Sequence, residues 1–380
     1  MNRNIIFLLI FLFFISCNVK ISDTEKGKIL LKISDNTNDS VFEKNFELEI
    51  ILPVETTNEY LFSQVERVIL HDDKAIILAP GKEGIFVVNI NTGKVLTHIH
   101  RVGQGPGDSN NILDIAFDEN KSEIIVFNDY EKLLFFDLQG NFLKEVKIGK
   151  LYENIIYLNG NIIFNNIGFG YSCQPYVLDI YDLNTEKLTH KGNNIKLDFP
   201  FKNFGRSIVK SKNIWLSARL DFNMYKVTID GFENPYVLDM DTTANNELRK
   251  KQINSEMDFQ TFLNEILKIN RSFHSVSSIR ETDNFMVFKP NNFGLFFMNK
   301  QNSEVYREGR ITDSNLGLSL LNYFPHDGDD NRIMFVIRAV EWLQRLPAEQ
   351  ALLPQYLVEK IRFMEVKEDD NPILLFYKEK

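Results

Sequence analysis

An all-β fold is predicted for this chain, a six-bladed β-propeller of four-stranded antiparallel blades, and three features predict it. A strand that ends in a short polar turn and then returns recurs at intervals of about 45 residues, the period of a propeller blade. The strands are rich in aromatic residues, with 32 Phe and 13 Tyr among 380 residues, and aromatic side chains favour strands. One such unit cannot bury both of its faces, so neighbouring units must stack around an axis.

The repeat is clearest in Val87-Val88-Asn89-Ile90-Asn91-Thr92-Gly93-Lys94-Val95, in Phe135-Phe136-Asp137-Leu138-Gln139-Gly140-Asn141-Phe142 and in Ile180-Tyr181-Asp182-Leu183-Asn184-Thr185-Glu186-Lys187-Leu188. Looser copies run from Tyr225 to Phe232 and from Phe296 to Val305. The blades are therefore expected over 65–99, 113–146, 154–192, 206–239 and 273–309. A sixth would be closed by strands from both chain ends, 46–52 and 373–377, beside 333–337, which removes exposed sheet edges.

Two helices interrupt the pattern. Residues 243–269 lack Gly and Pro and space Leu248, Ile253, Met257, Phe262 and Ile266 as an amphipathic helix would. This insertion between blades 4 and 5 reads as a structural buttress or as a cover over the central channel. A second helical stretch near the C-terminus, 348–364, follows Pro347 and accommodates Pro354 only near its start or at a kink.

The chain divides into a leader (1–17), a flexible polar tether (18–40) and the propeller (41–380). Arg3 precedes an unbroken apolar run, Ile5 to Ile15, that is too short to span a bilayer. Its end, Phe14-Ile15-Ser16-Cys17, resembles the lipobox of bacterial lipoproteins, which implies cleavage before Cys17 and lipidation of that residue. Cys173 is the second of two cysteines, so no disulfide internal to the mature domain is expected, and Cys173 reads as a small buried hydrophobe. A net charge of −9 disfavours nucleic acid as a partner and disfavours attachment to anionic lipid through protein charge.

Between the first two blades lies Gly103-Gln104-Gly105-Pro106-Gly107-Asp108. Glycines in this density mark a shaped turn, because glycine alone reaches positive φ without steric cost. No Gly-Lys-Ser/Thr and no helix follows, so neither a phosphate loop nor a dinucleotide fingerprint fits. An architectural connection is expected, with anion binding by its free N–H groups as the alternative.

These residues resemble a known family, the six-bladed β-propeller lipoproteins of Gram-negative gut-type bacteria, related in fold to NHL and TolB-like propellers. The resemblance rests on the lipobox leader, the Gly-x-Gly-Pro-Gly-acid turn, the Phe135-Phe136-Asp137-Leu138-x-Gly140 strand and the terminal Asp370-Asn371-Pro372-Ile373-Leu374-Leu375. It covers nearly the whole mature chain; Asp108 stands where the family pattern more often has Glu. It implies a propeller fold and a lipid-anchored place on the bacterial cell envelope, at the outer membrane, and it implies little chemistry.

No metal-ligand spacing appears: of the six histidines only His98 and His100 are close, and a solvated strand edge is the expected reading. There is no Gly-x-Ser-x-Gly elbow, and the acidic loop 324–331 lacks an EF-hand pattern. No metal and no cofactor is expected. Arg101, Arg206, Arg219, Arg271 and Arg280 lie near expected strand ends. They read either as the lining of a cationic axial mouth for an acidic glycan or peptide, or as ordinary ion-pair partners of the abundant Asp and Glu. The functional expectation is a monomeric, membrane-anchored binding or scaffold module for a glycan, peptide or partner protein, without catalytic activity. The alternative is a propeller hydrolase or lyase with an axial divalent metal.

Overall fold

The structure is a computed structural model that describes most of residues 29–345 and 365–380. Residues 1–28, 166–177, 192–205, 346–354 and 356–364, most of 239–275 and several shorter stretches lie outside the described residues. Cys17, Cys173, Arg219 and Arg271 fall in this set, as does the expected helix 348–364 apart from Gln355, which is helical.

Six sheets form the ring. Blade 1 runs Arg67–His71, Lys74–Ala79, Gly84–Asn89 and Val95–Ile99. Blade 2 follows with Ile112–Asp118, Glu123–Asn128, Lys132–Asp137 and Phe142–Lys147. Blade 3 comprises Ile155–Leu158, Asn161–Asn165, Leu178–Asp182 and Lys187–Lys191. Blade 4 comprises Ile208–Lys210, Ile214–Ser217, Asn223–Thr228 and Tyr236–Leu238, with Gly231–Phe232 paired beside the third strand. Blade 5 comprises Val276–Glu281, Phe285–Pro290, Leu295–Asn299 and Val305–Glu308. In blade 6, Arg332–Ile337 pairs with Ile373–Glu379, which pairs with Phe46–Pro53. A single bridge from His326 to Met334 takes the position of its innermost strand.

Closure of the ring is visible in the cores. Alternate residues of one strand feed different interfaces: Ala75, Ile77 and Ala79 pack with blade 6, whereas Ile76 and Leu78 pack with blade 2. Four further clusters join blades 2 and 3, 3 and 4, 4 and 5, and 5 and 6. This explains why second strands such as Ile124-Ile125-Val126-Phe127 are unbroken apolar runs rather than alternating ones, since both faces are buried. Outermost strands alternate or turn polar, as in the mostly exposed Lys187–Lys191.

The recurring polar turn has a single mechanism. In blades 1, 2, 3 and 5 the third strand ends in Asn or Asp, whose side-chain oxygen accepts the amides of the turn. Asn89 takes those of Asn91 and Thr92, Asp137 those of Gln139 and Asn141, Asp182 those of Asn184 and Thr185, and Asn299 that of Gln301. The turn then needs one left-handed residue, filled by Gly93 and Gly140 but also by Glu186 and Ser303. Glycine is therefore optional there, and its patchy occurrence in the repeat follows.

The expected free tether is corrected over its last part. Ile29–Leu31 adds a parallel strand to Tyr236–Leu238 of blade 4, and Ile33–Asp35 adds one to Val305–Arg307 of blade 5. The added strands cover edges that would otherwise be unpaired, and Leu31 is fully buried there. A short helix, Val41–Asn45, follows, capped by Ser40 Oγ accepting from the Glu43 amide at 3.1 Å. In the expected insertion, Glu247, Lys251, Thr261, Asn264, Glu265 and Lys268 are helical and polar. The described C-terminal helix is Ala339–Arg345, upstream of the predicted stretch, and it buries Trp342 in the core between blades 5 and 6.

Candidate functional site

Two buried carboxylates anchor the polar geometry of the propeller. Near the axis, Asp114 of the first strand of blade 2 is fully enclosed. Arg206, just before blade 4, binds it through both guanidinium nitrogens, with Nη1 to Oδ1 at 2.7 Å. Arg67 of blade 1 donates from Nη1 at 3.1 Å to Oδ1 and also reaches the carbonyls of Ile115 and Ile155. The Ile155 amide donates to Oδ2 at 2.7 Å, so one carboxylate ties together the innermost strands of blades 1, 2 and 3 and the segment that leads into blade 4. Burial pushes the Asp114 carboxyl upward, but the charges of Arg206 and Arg67 and the bonds from Arg206 and Ile155 more than offset it, holding the group below the ordinary carboxylate range.

The second carboxylate, Glu281, closes the first strand of blade 5 and is 3 % exposed. Its Oε2 accepts from the Asn213 amide at 2.8 Å and from Trp215 Nε1 at 2.9 Å. Asn213 Nδ2 lies 3.0 Å from each oxygen, and Lys300 Nζ stands 3.6 Å from Oε1. Beside Glu281 a cleft of about 550 Å³ opens between blades 4 and 5. Trp215, Tyr236, Met286 and Met298 come from the core between these blades, Phe232 and Ile29 from the edge. The rim carries Lys226, which pairs with Glu233 at 3.1 Å, together with Lys300 and Ser303.

The sequence-predicted residues distribute as follows. Arg101 stands 3.6 Å from Asp108, with its guanidinium 5.8 Å from the centre of the Phe142 ring. Arg206 is held by Asp114, and Arg280 is buried with Nη1 donating to the Ile279 carbonyl at 2.7 Å. Arg101, Arg206 and Arg280 each meet a protein acceptor, and Arg219 and Arg271 lie outside the described residues. Gly103, Gln104, Gly105, Pro106, Gly107 and Asp108 join blade 1 to blade 2. The Gly105 amide donates to Asp108 Oδ2 at 3.0 Å, so the turn's anion position is occupied by its own side chain. A Cβ on Gly107 would stand 2.5 Å from the Phe142 ring, at a φ of +78°. His98 Nε2 lies 2.8 Å from the Glu83 carbonyl and its ring stacks on Phe86, which commits it to packing. Among the described residues no group of three His, Cys, Asp or Glu side chains is placed to hold a metal.

Sequence reasoning missed both Asp114 and the cleft. An acid inside Ile112-Leu113-Asp114-Ile115-Ala116-Phe117 was the available signal for the first, because a buried charge requires partners. Trp215, one of two tryptophans, was the signal for the second: a strand tryptophan that is buried needs an acceptor for its Nε1 proton.

No curated protein matches the chain. A candidate exported protein of Bacteroides fragilis, solved by crystallography, superposes with a TM-score of 0.68 at 17 % identity, over 93 % of this chain and 99 % of that one. A DUF4221 family member from Bacteroides vulgatus gives 0.51 at 10 % identity, over 88 % and 98 %. Both likenesses are of fold. Residues 32–378, which span all six blades, match the model of the family described as Domain of unknown function (DUF4934), and the chain belongs to that family.

Proposed function

We propose that the chain is an exported, lipid-anchored envelope protein whose propeller is a binding module, with the cleft between blades 4 and 5 as its recognition site. The observation that carries this reading is the contrast between a charged axial cluster whose groups meet one another and an open cleft of mixed aromatic and polar lining. Its volume falls in the range of about 300–1,000 Å³ usual for small-ligand sites. The leader and Cys17 support export and anchoring, and the name of the Bacteroides fragilis neighbour, a candidate exported protein, supports export alone.

The anchor and the cleft are close along the chain. Residues 18–28 separate Cys17 from Ile29, which lines the cleft, and so short a segment spans at most about 40 Å. A lipidated Cys17 thus keeps the cleft near the bilayer. The anchor is tested by metabolic labelling with a fatty acid and by fractionation of the cell envelope: label on the wild type and its loss in Cys17→Ala are expected. An unlabelled, soluble wild type would contradict the anchor and leave the cleft assignment standing.

A further inference from the structure

We infer that the blade 4–5 cleft recognises a neutral, polyhydroxylated ligand, an uncharged oligosaccharide; this deepens the binding-module reading and rests on it. The rim is balanced in charge. Lys226 faces Glu233 at 3.1 Å and Lys300 faces Glu281 at 3.6 Å, so each lysine's charge is already balanced and an anionic ligand meets the repulsion of the neighbouring carboxylate. A cationic ligand meets the same obstacle in reverse.

Hydrogen-bonding capacity nevertheless remains. Lys300 spends one of its three donors on the Thr282 carbonyl at 3.0 Å. Glu281 Oε2 takes three donors, whereas Oε1 takes only Asn213 Nδ2 within hydrogen-bond distance, leaving room for a hydroxyl donor. Hydroxyl groups suit this rim because each can donate to a carboxylate and accept from an ammonium without carrying charge.

The walls favour a sugar over a peptide. Phe232 and Tyr236 are half-buried ring surfaces, and Tyr236 lies 5.5 Å from Trp215, an apolar face beside polar handles that suits the C–H face of a pyranose. A peptide would gain most by adding a strand to a sheet edge, but the edge of blade 4 beside the cleft is the three-residue Ile29–Leu31, too short to support a long ladder. The concave shape likewise suits a small ligand better than a flat protein surface.

The test uses the mature full-length protein in detergent, with Trp342→Phe so that Trp215 is the sole tryptophan reporter. Neutral hexasaccharides of glucose, xylose and mannose are titrated alongside oligogalacturonate and a mixed hexapeptide library. Saturable change of Trp215 fluorescence with at least one neutral hexasaccharide is expected, weakened tenfold or more by Phe232→Ala and by Lys300→Met, each measured well below its own melting temperature. Binding only of oligogalacturonate or peptide would overturn the neutral-sugar assignment and keep the binding module. Sugar binding undiminished in both variants would overturn the site. Failure of all probes would overturn the ligand class and the module together.

Discussion

Asp114 and Glu281 are both carboxylates set into apolar walls of the same ring, yet they keep different company. Asp114 is enclosed by two guanidinium groups and a backbone amide drawn from blades 1, 3 and 4. Glu281 is held mainly by neutral donors, the Asn213 amides and Trp215 Nε1, and borders open space. A charge answered by charge on every side is a structural rivet. A charge positioned by neutral groups at the edge of a cleft retains capacity for something else. The lesson is that the partners of a buried charge, and not the charge alone, decide what it does.

The sharpest way to break the comparison is Asp114→Ala, which strands Arg67 and Arg206 in the interior. A loss of about 3–5 kcal/mol in urea denaturation is expected. A loss below about 1 kcal/mol would mean that the cluster is not structural.

Acid should test the Asp114 cluster next. The folded value of Asp114 lies below its unfolded value, so its contribution is complete above about pH 4 and is lost as pH falls through the folded value. Wild-type stability is expected to drop on acidification from pH 4 to 2 more steeply than that of Asp114→Asn, measured by denaturation at each pH. Equal slopes would contradict the assignment.

Glu281→Ala should cost less, about 1–3 kcal/mol, since it leaves Trp215 Nε1 and Asn213 without their acceptor but strands no fully buried cation. The smallest effect is expected from Lys300→Met, within about 1 kcal/mol in thermal or urea melts, because the lysine is only half-buried. A larger loss would make Lys300 part of the framework rather than of the rim.

Much of the ring was legible because a blade is a local object. Its strands are short apolar runs, its third strand ends in Asn or Asp in blades 1, 2, 3 and 5, and both features lie within one stretch of sequence. The closing strand Phe46–Pro53 was also readable, since its alternation from Phe46 to Ile50 demanded a partner that the apolar C-terminus could supply. The docking of 29–35 was not readable: its polar surroundings look like a tether, and its parallel pairing answers edges that lie some 200 and 270 residues away in the chain. The cleft was illegible for a similar reason, because Asn213, Trp215, Glu281 and Lys300 meet only when two blades are set side by side. Arginine positions could be read, but their acceptors could not. Asp114 meets Arg67 and Arg206 from other blades, 47 and 92 residues away in the chain, where sequence distance carries no signal.

The account's central claim is that recognition belongs to the cleft and rigidity to the axial cluster. Hydrogen–deuterium exchange of the mature protein, with and without a saturating pool of the neutral hexasaccharides, tests it most directly. New protection is predicted in 211–217, 223–238 and 279–303, with no change around Arg67, Asp114 and Ile155. Protection confined to the segments around Asp114, or no protection anywhere, would contradict it.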